Sequence, residues 1–288
     1  MLSSMLSPLL FPAARWRACR WLVAAAVWMP TLCLAEMPMI TAHRGASADA
    51  PENTLAAFRL AWDQAADAIE GDFRLSADGE IVCIHDADTK RTCGVQLVVA
   101  DTPFPALRDL DYGRWKAEAY VGEPCPTLAE VLEAVPAGKQ FFVELKTGPE
   151  IVEPLCQLLE ERKVALDSLV IIAFDEATVA ACKQALPSVK AHWLTGFKET
   201  AKGSGAWLPT AETIAETVAR CGADGVGMQG RRQVIDEEFV AALRAGEVGE
   251  FHVWTIDEPA DARYFAELGA IGITTNKPAF IRSSLEQP

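Results

Sequence analysis

From Met39 onward, short apolar runs of strand character alternate with amphipathic segments of helical period, and few topologies satisfy that alternation. The runs are MITAH, AIEGDF, EIVCIH, FFVEL, LVIIAF, KAHWL, GVGM, FHVWT and IGITT. Between them stand NTLAAFRLAWDQA, TLAEVLEAV, EIVEPLCQLLEE, EATVAACKQAL, TAETIAETVARCG, EEFVAALRAG and ADARYFAELG. Thr127 and Asp236 are placed as N-caps. Repeated βα units imply a parallel sheet covered by helices, of the α/β class. Nine strand candidates exceed a barrel of eight by one. AIEGDFRLS and EIVCIHD are separated only by Ala77-Asp78-Gly79, a hairpin turn, so one arm is expected outside the ring.

No linker or low-complexity block divides the chain after the first 35 residues. Those residues read as an export signal: Arg15, Arg17 and Arg20 precede WLVAAAVWMPTLCLA, with cleavage expected after Ala35. An uncleaved anchor is the alternative, and Cys33 raises lipoprotein processing, which Leu32 before it disfavours. Cleavage leaves residues 36–288, about 250 residues, the usual size of one α/β barrel. The expected location is the periplasm or outside the cell, without stable membrane insertion. Six cysteines follow the leader, none in CxxC spacing, so a zinc site is not expected; Cys93 with Cys125 is the preferred disulfide. The stretch 87–126, rich in Asp, Pro and Gly, is too long for a mere connection and is expected to overhang the site. A net charge of −14 leaves no diffuse basic surface for nucleic acid, so any anion must be held locally. Oligomeric state is not readable.

Reactive groups of parallel barrels sit at the carboxyl ends of strands. Polar residues stand at four such ends: His43-Arg44, Glu70 with Asp72, His85-Asp86, and Glu144 with Lys146. Side chains alternate along a strand, so Glu70 and Asp72 share a face, as do Glu144 and Lys146. Three gathered carboxylates repel one another unless a hard cation takes their oxygens, so Glu70, Asp72 and Glu144 are candidate ligands of one divalent cation, Ca2+ or Mg2+. The alternative is ion pairing with Arg44, Arg74 and Lys146. His43 and His85 are the candidate acid and base. Arg44 and Lys146 are candidate phosphate contacts. Glu52 is read both as the partner of Arg44 and as a first-turn acid of a helix begun by Pro51. Asp86 is a supporting residue beside His85. Trp254 either lines the pocket or belongs to the core. His192 and His252, with no acidic neighbours in sequence, are read as structural.

These residues resemble the glycerophosphodiester phosphodiesterases: His43-Arg44-Gly45, Pro51-Glu52-Asn53-Thr54, Ile69-Glu70-Gly71-Asp72, Asp78-Gly79, His85-Asp86 with Arg91-Thr92, Pro126-Thr127-Leu128, Glu144-Leu145-Lys146, Val253-Trp254-Thr255 and Gly272-Ile273-Thr274-Thr275-Asn276. The resemblance implies a distorted (β/α)8 TIM barrel with an inserted small subdomain after the second strand region. It also implies a cation on the three acids, catalytic His43 and His85, and Arg44 and Lys146 on the phosphate. The implied reaction is hydrolysis of a glycerophosphodiester, such as glycerophosphocholine or glycerophosphoethanolamine, to sn-glycerol 3-phosphate and an alcohol, either through attack by the glycerol 2-hydroxyl or directly by water. Cys93, Asp257 and Asn276 depart from the residues common there, namely threonine, asparagine and aspartate. Two other functions are weighed: a phosphodiesterase acting on lysophospholipids, and an exported binding protein with vestigial activity.

Overall fold

The computed structural model describes residues 37–287. Eleven strands are formed: β1 (Met39–His43), β2 (Ala68–Leu75), β3 (Ile81–Cys83), β4 (Gln140–Leu145), β5 (Leu169–Ala173), β6 (Lys190–Thr195), β7 (Lys198–Glu199), β8 (Trp207–Leu208), β9 (Gly225–Gln229), β10 (Glu250–Trp254) and β11 (Gly272–Thr275). Eight of them run parallel in the order β1-β11-β10-β9-β6-β5-β4-β2, and β1 pairs with β2 to close the ring. β3 pairs antiparallel with β2 through Phe73 and Cys83, so it is the hairpin arm expected outside the barrel. The fold is a TIM barrel with one appended strand.

Each barrel strand is buried on both faces, inward on its neighbours and outward on the helices. Inside lie Ala68, Phe142, Val170, Ile172 and Leu194. Outside, one cluster packs Phe58, Phe73 and Phe141 under the helices that follow β1 to β5, and another packs Val226, Val253 and Phe265 on the far half. Helix Leu55–Asp63 shows the local logic: Thr54 caps it, with Oγ1 accepting from the Ala57 N–H, and Ala57, Phe58 and Ala61 form its buried stripe. Burial of the Phe58 ring alone contributes about 2–3 kcal/mol. Glu52 and Pro51 therefore precede the helix; no acidic residue stands in its first turn, which corrects the helix-dipole reading of Glu52.

Both expected caps form. Asp236 Oδ1 accepts from the Phe239 N–H at 2.9 Å. Thr127 makes a reciprocal box with Glu130, its Oγ1 accepting from the Glu130 N–H at 3.2 Å while Glu130 Oε2 accepts from the Thr127 N–H at 2.9 Å. Thr127→Ala is expected to lower unfolding free energy by about 1 kcal/mol. Urea denaturation checks this, and an unchanged midpoint at unchanged slope would show that the box adds nothing.

The stretch 87–126 forms the short helices Lys90–Cys93 and Phe104–Arg108, with 3-10 turns Val99–Asp101 and Glu118–Tyr120, around a cluster of Val82, Ile84, Val99, Leu107, Tyr112 and Cys125. Cys93 and Cys125 are not bonded to each other, which corrects the preferred disulfide. Cys125 is buried against the Cys83 and Pro126 carbonyls, and burial pushes its thiol up to about 12. Cys93 instead sits beside the Thr92 hydroxyl at the end of its short helix. The β7–β8 hairpin and the helix Pro278–Leu285 went unforeseen, the first because two-residue strands carry no period. The expected leader, residues 1–35, lies outside the described residues. Among the described residues, no helix is long and apolar enough to cross a membrane.

Candidate active site

Strand register brings the acids together. Asp72 on β2 stands opposite Glu144 on β4, while Glu70 stands opposite His43 on β1. Because Glu70 and Asp72 are two apart, all three carboxylates face the barrel axis, and one oxygen from each lies within 4.8 Å of the others. They are 2%, 0% and 7% exposed, where unneutralised charge is costly. Glu70 Oε1 has neither a hydrogen-bond partner nor an ion pair. Burial, then the Asp72 and Glu144 charges, push the Glu70 carboxyl well above its usual range. Burial and Asp72 push Glu144 up to about 7. Against burial, Lys146 and Arg44 hold the Asp72 carboxyl well below the usual range.

Two cations stand among these acids. Lys146 Nζ lies 2.5 Å from Glu144 Oε1 and 3.2 Å from Asp72 Oδ1, while Arg44 Nε is 3.1 Å from Asp72 Oδ2. Arg74, the third cation weighed against an ion site, donates instead to the carbonyls of His85 and Lys146. Two cations for three buried acids leave an unmatched negative charge, and the unpartnered Glu70 oxygen beside Asp72 and Glu144 points to where a hard cation fits. Glu70, Asp72 and Glu144 are the residues that could hold it.

At the end of β1 the chain turns sharply, with Arg44 and Gly45 at φ 57° and 81°. A Cβ on Gly45 would lie 2.5 Å from the Ala57 carbonyl carbon, so only glycine lets this turn rest on the following helix. The turn aims the Arg44 N–H at Glu70 Oε2, 2.9 Å away, and its guanidinium at Glu52 Oε1, also 2.9 Å away. Glu52 also accepts both Nη groups of Arg91, whose Nε donates to Asp86 Oδ2 at 2.6 Å. Asp86 in turn stands 2.7 Å from His85 Nδ1. Glu52 and Asp86 thus link Arg44 to His85 through Arg91.

A cavity of about 100 Å³ opens between these groups. His43, Arg44, Glu70, His85, Glu144 and Lys146 line its polar side; Ile172, Phe174, Leu194, Trp254, His252 and Thr274 line the other. Trp254 therefore stands in the pocket wall, edge-on to Phe174 at 5.5 Å. Burial, then the Arg44 charge, push His43 down to about 4; burial also lowers His85, opposed by Asp72 and Asp86. His192 lies 3.6 Å from Glu250, an acid on β10 that reaches it across Gly225 of the intervening β9 rather than by sequence proximity. His252, read as structural, reaches the pocket with both ring nitrogens unpartnered.

Sequence reasoning did not single out three residues that shape this site. Asn53, at φ 58°, donates to Asp72 Oδ2 and accepts the Asp72 N–H. Its place in the Pro51–Thr54 run was the available signal. Arg91 was visible only as part of a motif. Phe174, 47% exposed at the pocket rim, follows an apolar strand and carried no signal of its own.

Residues 43–280 match the Glycerophosphoryl diester phosphodiesterase family. The chain is 32% identical over 245 residues to YhdW of Bacillus subtilis, covering 84% of this chain and 96% of that one. It is 28% identical over 256 residues to a glycerophosphodiester phosphodiesterase of the same organism, covering 83% and 84%. A phosphodiesterase from Oleispira antarctica, solved in complex with the product sn-glycerol-3-phosphate, superposes with TM-score 0.76 at 26% identity, covering 87% of this chain and 98% of that one. A match that opens on His43 and runs into the last helix has one meaning: the chain belongs to the glycerophosphoryl diester phosphodiesterase family.

Proposed function

We propose that the protein hydrolyses glycerophosphodiesters such as glycerophosphocholine and glycerophosphoethanolamine to sn-glycerol 3-phosphate and the free alcohol, with divalent-cation dependence and two-histidine acid–base catalysis. One observation carries this reading: the imidazoles of His43 and His85 line one small pocket with Glu70 and Glu144, and the buried Asp72 gathers with those two acids so that one oxygen of each lies within 4.8 Å of the others. A Ca2+ or Mg2+ held by Glu70, Asp72 and Glu144 supplies positive charge against the non-bridging phosphate oxygens when bound. Arg44 and Lys146 add to it from the pocket wall and orient the diester. His43, which faces a neutral amide and stays uncharged, takes the proton of the attacking hydroxyl or water. His85, backed by the Asp86 carboxylate that stabilises its charged form, gives a proton to the departing alcohol oxygen as the P–O bond breaks. Trp254 and Phe174 exclude water around the glycerol carbons. The leader supports export to the periplasm or beyond.

Release of glycerol 3-phosphate from glycerophosphocholine tests the reaction; no release with either cation at millimolar level removes it. Hydrolysis of lysophospholipids is a second reading, favoured by the exposed Phe174 at the rim. Turnover of micellar lysolipid exceeding that of the water-soluble diester selects it.

The raised acids give a pH prediction. Without an ion, Glu144 is protonated below about 7, and a bound cation must displace that proton. Apparent cation affinity therefore falls as pH drops through 7, by about tenfold per unit or more because Glu70 is raised as well. Calorimetric titration between pH 5.5 and 8 checks this, and an affinity flat across that window contradicts it.

A further inference from the structure

His43 is held from behind by a second tier of polar groups. Its Nδ1 lies 2.8 Å from Asn276 Oδ1. The other end of the Asn276 carboxamide, Nδ2, lies 2.6 Å from Asp257 Oδ2. Asp257 Oδ1 accepts from the Asn276 backbone N–H at 2.8 Å and from the Thr275 hydroxyl at 2.9 Å. A carboxylate so surrounded only accepts, so the carboxamide must turn its NH2 toward Asp257 and its oxygen toward the imidazole. An amide oxygen also only accepts, so the imidazole nitrogen against it carries the hydrogen. The second lone pair of Asn276 Oδ1 faces the Ser47 hydroxyl, 2.8 Å away. Every orientation in the chain from Asp257 to His43 is then determined.

We propose that Asn276, its amide orientation locked by Asp257, is a positioning residue that keeps His43 in the Nδ1–H tautomer and leaves the Nε2 lone pair free to accept a proton. The proposal rests on the reading of His43 as the base. Neutral imidazole free in water prefers its hydrogen on Nε2, which would leave no lone pair there for the substrate. Asn276 reverses that preference. Acid and amide are hydrogen-bonded to each other, and the amide is the member that meets the ring.

Three variants test this in buffer holding both Ca2+ and Mg2+, with the His43 tautomer read from 15N NMR of the imidazole. Asn276→Leu removes the acceptor: kcat should fall on the order of 10²-fold, with KM within about threefold, and the ring should populate Nε2–H. Asp257→Asn frees the 276 amide to turn over, and kcat should fall about tenfold. In the double variant D257N/N276D a carboxylate faces Nδ1–H, and the 257 amide can donate to it while its oxygen accepts from Thr275 and the backbone. That variant should recover kcat to within about threefold of the parent and restore the Nδ1–H signature. An unchanged tautomer in Asn276→Leu, or no recovery in the double variant, overturns the proposal; should Asn276→Leu not fold, the exchange pair decides alone. A shifted tautomer with unchanged kcat leaves the positioning intact and removes His43 as the base.

Discussion

His43→Ala is expected to fold normally and to lose turnover of glycerophosphocholine by on the order of 10²–10⁴-fold, the scale of a lost general base. The position allows so clean a result. His43 is the last residue of β1, with its ring turned into a solvent-reached cavity rather than the helix-facing core, so truncation opens the pocket without unpacking the barrel. Its backbone contacts persist, and Asn276 Oδ1 keeps the Ser47 hydroxyl. Arg44, Lys146 and the three acids are untouched, so KM should move little while kcat collapses. His85→Ala should fall on the same scale, with a further loss of order because Asp86, itself held by Arg91, then lacks its ring partner. Steady-state kinetics with a far-UV spectrum and a melting curve decide the matter: turnover within threefold of the parent in a folded His43→Ala would end its role as base.

Exhaustive removal of divalent cations should lower turnover by about 10³-fold or more, several kcal/mol of charge stabilisation, with recovery on adding Ca2+ or Mg2+. The expectation follows from unbalanced charge. Lys146 and Arg44 reach Asp72 and Glu144, yet Glu70 meets only a backbone N–H and keeps one oxygen unpartnered. Without the cation, the pocket lowers its energy by taking up protons on Glu70 and Glu144, which balances the charge but gives the phosphate oxygens no cation to meet. Full activity after thorough chelation, confirmed by elemental analysis of the protein, would show that Arg44 and Lys146 suffice.

The architecture was legible because βα units write two periods into one sequence, and every barrel strand announced itself as an apolar run. The spacing of Glu70 and Asp72 disclosed a shared face, and the register of β2 with β4 then put Glu144 beside them. Contacts that depend on irregular backbone were not legible. Asn53 meets Asp72 only because it adopts a positive φ, and Arg91 reaches Glu52 across 39 residues of chain. Phe174 looked like one more apolar residue, since nothing in sequence tells a pocket rim from a core. The preferred Cys93–Cys125 link failed for a related reason: proximity within a stretch says nothing of which thiol is buried, and Cys125 is fully so.

The segment from 87 to 126 is fastened to the rest of the fold along its length, and three of its contacts fall beside the site. Lys116 donates to the Ser47 and Ala48 carbonyls, Tyr120 reaches the Asp49 carbonyl, and Arg91 shares Glu52 with Arg44. The segment is thereby riveted to the loop that follows His43 at the end of β1, and its apolar cluster includes Val82 and Ile84 from the β3 region. A graft of this segment from another protein would therefore have to keep Arg91 and Lys116, because losing either releases Glu52 or the Ser47–Ala48 turn from its present partner.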